Sequence, residues 1–351
     1  MNQQFPTYLS LDDVLLIPNQ SSIDSRSLVD LSWELCGHKL TAPIIAINMD
    51  SVTSTEMALS MGKNGSFGIL PRFDTPEIQA KKVSQVKAAG FLTAAAIGIN
   101  DHDWKRLEIL LAAGVDHISI DIAHGHMSKN LEFIKKIRIK YPKLSLSAGV
   151  VGTYQGALDI FNSGADIVRV GVGPGSICTT RVQTGCGVPQ FTAITEASRA
   201  ARETKKIIWA DGGIKNSGDI TKCLAAGASA VIVGSLLAGT NEAPSQMVEV
   251  DGVKYKRYNA STSAVEKQKQ IQKNAKGKSA SYLKHIEGVE SLVPYSGSVN
   301  QVLESLLAGI RSGYSYCGAL NTSQIWKKAN FCQVTSVGFR ENGHHDVILK
   351  A

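Results

Sequence analysis

The chain has 351 residues, 43% hydrophobic and 19% charged, with a formal net charge of +7 and an isoelectric point near 9.0. This composition excludes a disordered or fibrous chain and fits a globular protein long enough for one large α/β domain. The positive balance favours an anionic ligand. Because the basic residues are dispersed, dense only around Lys267–Lys278, with few aromatics among them, a small phosphorylated molecule fits better than nucleic acid.

Six cysteines (Cys36, Cys178, Cys186, Cys223, Cys317 and Cys332) are scattered without zinc spacing. With no leader-like segment and no long apolar run, reduced thiols, a cytoplasmic location and no membrane partner are expected.

In chain order, Tyr8–Pro18 reads as an arm without helical period. Short apolar, β-branched runs then alternate with amphipathic stretches. The runs are Ala42–Met49, Ser66–Leu70, Leu92–Ile99, His117–Ile122, Ser145–Val151, Asp166–Gly171, Lys206–Ala210 and Ala228–Gly234. Helical patterns such as Asp101–Ala113, Ser128–Lys140 and Asn216–Ala226 lie between them. The alternation predicts a single (β/α)8 TIM barrel spanning 1–351, with no inserted domain. A doubly wound open sheet is the alternative; eight runs and glycine-rich run ends favour the barrel.

After the barrel pattern, Asp251–Tyr258 reads as a hairpin. Ser261–Lys278 is polar and Lys/Gln-rich and is expected to be solvated, part of a mobile flap over about 259–290. Val299–Ile310 resumes an amphipathic helix, Phe331–Gly338 is a late strand candidate, and an irregular tail follows. His344-His345 lacks further ligands at helical spacing and reads as structural or intersubunit.

Barrel chemistry sits at the C-terminal ends of the strands. There the chain carries Asn48-Met49-Asp50-Ser51, Asp121-Ile122-Ala123-His124-Gly125-His126, Asp211-Gly212-Gly213 and Gly234-Ser235. After the sixth run comes Gly171-Val172-Gly173-Pro174-Gly175-Ser176-Ile177-Cys178-Thr179-Thr180-Arg181. Alternate glycines free the backbone to wrap a ligand or ion, and a cysteine followed by two hydroxyls and a cation makes a nucleophile loop. Alone, such a cysteine is more often a small buried hydrophobe; its neighbours argue otherwise. Gly212, Gly213, Gly234 and Ser235 end the last two strands, where barrels commonly cradle phosphate, and Ser176 adds a hydroxyl. Asp211 beside that cradle reads equally as a ribose acceptor or as a helix cap.

These stretches, with Leu11-Asp12-Asp13-Val14-Leu15-Leu16, Thr184-Gly185, Gly187-Val188-Pro189-Gln190 and Gly234–Gly239, resemble the IMP dehydrogenase / GMP reductase family over nearly the full length. The resemblance implies a (β/α)8 barrel, usually a homotetramer, acting at C2 of a purine nucleotide (GMP or IMP). It implies Cys178 as nucleophile, with Thr180 and Glu287 as a proton relay. The nucleotide would be held by Met49, Ser176, Asp211, Gly212, Gly213, Gly234, Ser235, Tyr258, Ser261 and Thr262. The nicotinamide would lie at Asp121, Ala123, His124 and Gly125. A monovalent cation such as K+ would sit on Gly173, Gly175 and Cys178, with Glu341, Asn342 and Gly343 from a neighbouring subunit.

Within the family, the dehydrogenases usually carry an inserted regulatory pair of domains and an Arg-Tyr pair on a long flap. Here Arg72–Ala95 runs without insertion, and Ser281-Tyr282 stands where Arg-Tyr would be. The Thr180–Glu287 match, Asn48 and Thr262 point to a GMP reductase using NADPH to release ammonia from GMP. Ala123–His126, Glu242-Ala243-Pro244 and Arg340-Glu341 resemble dehydrogenases, so the alternative is an IMP dehydrogenase without regulatory domains, taking IMP and NAD to XMP. Ala260-Ser261-Thr262-Ser263 and Val150 depart from both patterns. Readings of other kinds are a flavin- or phosphate-binding barrel of unrelated chemistry and a purine-nucleotide-binding regulator.

Overall fold

The computed structural model describes residues 5–273 and 283–343. Eight parallel strands close into a barrel: β1 Ile44–Ala46, β2 Phe67–Leu70, β3 Ala94–Ile97, β4 His117–Asp121, β5 Ser145–Val151, β6 Ile167–Val170, β7 Ile207–Asp211 and β8 Ala230–Val233. Each is buried almost throughout, as strands covered by helices on one side and filled by side chains on the other must be. The open-sheet alternative is excluded by the pairing of β8 with β1.

Most strands are shorter than their apolar runs. The run Ala42–Met49 leaves the sheet after Ala46 because Met49 N–H turns back to the Ile47 carbonyl at 2.8 Å, starting the loop that faces the site. Helices alternate with the strands and carry ordinary start signals. Pro76–Ala88 opens with the Thr75 hydroxyl accepting from Ile78 N–H, proline in its first turn and Glu77 beside the positive helix end.

The eighth layer helix is delayed. A four-residue helix, Ser235–Ala238, follows β8, and Val299–Tyr316 packs between Thr55–Lys63 and Ser217–Ala225 to close the outer ring. The intervening chain makes an antiparallel sheet of Met247–Val250, Val253–Asn259 and Glu290–Pro294 beside the strand C-termini. The expected hairpin is therefore present, with a third strand added. At the opposite end, the hairpin Trp33–Leu35/His38–Leu40 plugs the barrel, Trp33 meeting Phe67 and Trp209 with ring centroids 6.2 Å apart in each case.

Two expectations change. The N-terminal arm is pinned: Val14–Leu16 pairs with Phe331–Gln333, and Phe331–Gly338 is only half strand, since Ser336–Arg340 is helical. The polar segment after Ser261 is solvated on one face only in its described part. Ala264–Lys273 forms a helix whose Glu266, Lys267 and Gln270 are buried, spaced to share one face. Polar composition misleads here because these groups are satisfied internally: Asn259 Nδ2 donates to Glu266 at 3.1 Å, and Gln270 Nε2 to the Ser261 carbonyl at 2.8 Å. Ser281-Tyr282 and His344-His345 lie outside the described residues. Among the described residues no helix is long and apolar enough to cross a membrane.

Candidate active site

A cavity of about 410 Å³ opens at the C-terminal end of the strands. Its wall brings together Cys178, Thr180 and Glu287 with Met49, Ser176, Asp211, Gly212, Gly213, Gly234, Ser235, Tyr258, Ser261 and Thr262, and also Asp121, Ala123, Gly173 and Gly175. Residues from seven places in the chain meet, five of them at the ends of barrel strands, which deliver their loops to one rim.

The cysteine loop is held by backbone demands. Gly171, at the end of β6, has φ +152°, and a Cβ there would stand 1.9 Å from the Asp211 carbonyl. Gly212 and Gly213 both have positive φ and lie against Pro174, so the two glycine turns nest. Arg181 lines the cavity, but its guanidinium is engaged by the loop's own backbone. It clasps the loop, donating to the carbonyls of Val172 at 3.2 Å and Val188 at 2.6 Å.

On its outer side the loop zips to a distant segment. Thr179 N–H donates to the Glu287 carbonyl at 3.0 Å, Val289 N–H to Ile177 at 3.1 Å, and Cys178 faces Gly288 across an antiparallel bridge. Gly288 permits this approach, since a Cβ would fall 2.2 Å from that of Ala260. The zipper carries Glu287 to the neighbourhood of Cys178. Cys178 Sγ lies 3.2 Å from Thr180 Oγ1, whose hydroxyl donates to Glu287 Oε2 at 2.6 Å. A half-buried thiol, a hydroxyl and a carboxylate thus form one continuous proton path.

Beneath the cavity runs a chain of alternating charge. Arg169, buried on β6, donates Nε and Nη2 to Asp211 Oδ2 and holds Nη1 at 3.0 Å from Ser119 Oγ and 3.7 Å from Asp121 Oδ1. Arg72 reaches the other Asp121 oxygen at 3.2 Å. Burial pushes the Asp211 carboxyl above its ordinary value, with Arg169 pulling it back and Asp121 adding to the rise. At Asp121 the upward push of burial is outweighed by Arg72, Arg169 and a hydrogen bond from Asn48, so it is held low. Asp211 is no helix cap. Its Oδ2 is taken by Arg169, and Oδ1 keeps its acceptor capacity for a ligand.

Some expected residues fall elsewhere. His124 is exposed and outside the cavity wall, and Gly125 is buried below it, bonded to the Val150 carbonyl at 2.8 Å. Glu341, Asn342 and Gly343 are exposed beyond Ser336–Arg340 and are not part of the cavity wall that holds Gly173 and Gly175. Sequence reasoning missed Arg169 and Gln190. Arg169 was detectable as a cation inside a buried β-branched run, which requires an acidic partner on a neighbouring strand. Gln190 ties β6 to β7 by donating to the carbonyls of Val170 and Asp211. It also lines the cavity, as do Ser10, Leu11, Asp12 and Lys215.

A closed parallel barrel with a cysteine loop after β6 and glycine turns after β7 and β8, all at the C-terminal rim, has the architecture of a barrel enzyme. The chain belongs to the IMP dehydrogenase / GMP reductase domain family, which it matches over residues 8–345; this is an oxidoreductase family. It is 36% identical to the inosine-5'-monophosphate dehydrogenase of Borreliella burgdorferi across 97% of each chain. It is 31% identical to the protein of that name from Nitrosopumilus maritimus across 99% of this chain and 100% of the relative. With that of Aquifex aeolicus it shares 46% identity over 72% of this chain and 52% of the relative.

These names overturn the expectation of a GMP reductase, and with it NADPH. The error has a physical source. A hydroxyl bonded to a carboxylate passes a proton either way, so the Thr180–Glu287 pair does not by itself say whether it protonates a leaving group or deprotonates water.

Proposed function

We propose that this protein is an IMP dehydrogenase: it oxidises IMP to XMP with NAD as hydride acceptor. The observation that carries the reading is the Cys178–Thr180–Glu287 path, in a chain whose named relatives are inosine-5'-monophosphate dehydrogenases.

In this reading the phosphate sits on Ser176, Gly212, Gly213, Gly234 and Ser235 at the ends of β6, β7 and β8, and the ribose bonds to Asp211. Met49, Ser261 and Thr262 flank the base, and Tyr258 closes the wall beside Gly234. The Cys178 thiolate attacks C2 of the hypoxanthine and forms a C2–S bond. Bound NAD would supply the acceptor for the C2 hydrogen and its electron pair, with Asp121 and Ala123 as the residues that would line its nicotinamide. Water then adds to C2. Thr180 takes its proton while passing its own to Glu287, and the C2–S bond breaks to return the thiolate and release XMP. The sum is IMP, NAD+ and water giving XMP, NADH and a proton.

The Thr180–Glu287 pair supplies the base for water without an Arg-Tyr flap pair. Hard carbonyl oxygens of Gly173, Gly175 and Cys178 suit a monovalent cation that would order the loop; Gly175 already accepts Cys178 N–H at 3.1 Å with one lone pair. Glu341, Asn342 and Gly343 would have to come from a second copy.

The test is a paired assay. Purified protein with IMP and NAD is expected to form NADH and XMP in equal amounts, and Cys178→Ala to form neither. NADPH consumption with ammonia release from GMP, and no NADH from IMP, would overturn the reading.

A further inference from the structure

We infer that Lys267 is a positioning residue for the water step, holding the segment that carries Glu287 against the cysteine loop through the carbonyl of His285. The inference rests on the dehydrogenase reading, because it concerns the base used to hydrolyse the Cys178 adduct.

Lys267 lies on the buried face of Ala264–Lys273 and is only 4% exposed, unusual for a lysine. Its ammonium donates to the carbonyl of His285, two residues before Glu287. Glu287 is the carboxylate in whose field it sits, and that attraction partly offsets the burial that lowers the lysine's proton affinity. A buried ammonium is costly unless such partners satisfy it.

The Glu287 segment is thus gripped at two places. Thr179 and Ile177 bind the backbone at Glu287 and Val289, and Lys267 binds it at His285. The helix bearing Lys267 is fixed in turn through Asn259–Glu266 and Gln270–Ser261. Lys267 holds a carbonyl two residues from the acid of the relay. Its placement couples the helix position to the Thr180–Glu287 distance, and a displacement of about 1 Å at such a pair costs on the order of a hundredfold in rate.

The experiment separates the two chemical halves. Rapid mixing with IMP and NAD reads hydride transfer as a burst of NADH, and the later steady rate reads adduct hydrolysis. Lys267→Met is expected to keep the burst and slow the steady rate by about tenfold or more, with Lys267→Arg restoring much of it. A wild-type steady rate in Lys267→Met overturns the inference. So does loss of burst and steady rate together without rescue by Lys267→Arg, which marks a purely structural lysine. Glu287→Gln is run alongside. If it leaves the steady rate intact, the base assignment in the proposed function has failed; if it slows the steady rate while Lys267→Met does not, only the role of Lys267 has.

Discussion

Arg169 sets two of its nitrogens on one oxygen of Asp211, at 2.9 and 2.7 Å, across adjacent barrel strands, while a third stands 3.7 Å from Asp121. One buried guanidinium therefore underlies both Asp211 and Asp121. Arg169→Met would leave them without their shared counter-charge, a type of change that costs about 3–5 kcal/mol. Urea unfolding is the check, and a loss below about 1 kcal/mol would show that the charge chain matters little to stability.

His117 supplies a pH dependence of a different kind. Burial in the barrel, with Arg169 adding to the effect, takes its imidazole down to about 3 from an ordinary 6.5. It bonds Ser145 and Ser147, each at 2.8 Å, and lies over Trp209. The folded pKa is below the unfolded one, so the unfolded chain gains a proton that the fold refuses. The stability tied to this group is full above the unfolded value and is lost as pH falls toward the folded one, by roughly 1.4 kcal/mol per pH unit. Unfolding midpoints measured down that range should show this slope, and His117→Gln should flatten it.

Thr180→Val removes the hydroxyl between sulfur and carboxylate without changing size much. Hydride transfer should persist, and turnover should fall on the order of a hundredfold as water loses its base. The burst of NADH and the steady rate after it, measured on one sample, check this. Equal slowing of both would place Thr180 in the attack on C2 instead.

Gly288→Ala tests the zipper. The added methyl meets Ala260 Cβ at 2.2 Å and Thr262 Oγ1 at 2.9 Å, so the Glu287–Val289 segment must move off the cysteine loop. Overpacking of this kind costs about 1–3 kcal/mol. Turnover is expected to fall more than stability does, because the segment carries a relay residue. Thermal unfolding and the NADH assay on the same preparation compare the two.

Substrate binding should raise stability by mass action. With IMP at a hundred times its dissociation constant the gain is about 2.7 kcal/mol. A thermal scan with IMP and with an unrelated nucleoside checks it.

Parts of this were legible before any coordinates. The eight strands stood out because parallel strands are buried on both faces and so read as unbroken β-branched runs, Asp166–Gly171 among them. Cys178 and Thr180 were legible as neighbours on one glycine loop. The helix Ala264–Lys273 was misread, because Glu266, Lys267 and Gln270 look like a solvated face until their partners at Asn259, His285 and Ser261 are known. The direction of the reaction was misread for a similar reason, since Thr180 and Glu287 serve a proton moving either way.

The amino-acid sequence by itself determined the barrel, the glycine loop that carries Cys178 and the glycine turns after β7 and β8, because each depends on residues close together in the chain. The tertiary structure alone decided that Arg169 ties Asp211 to Asp121, that Glu287 reaches Thr180, and that Lys267 braces His285. Those contacts join groups from different strands and loops. Their energies come from excluding water between charges and hydroxyls that only barrel closure and the Gly288 zipper bring within bonding distance.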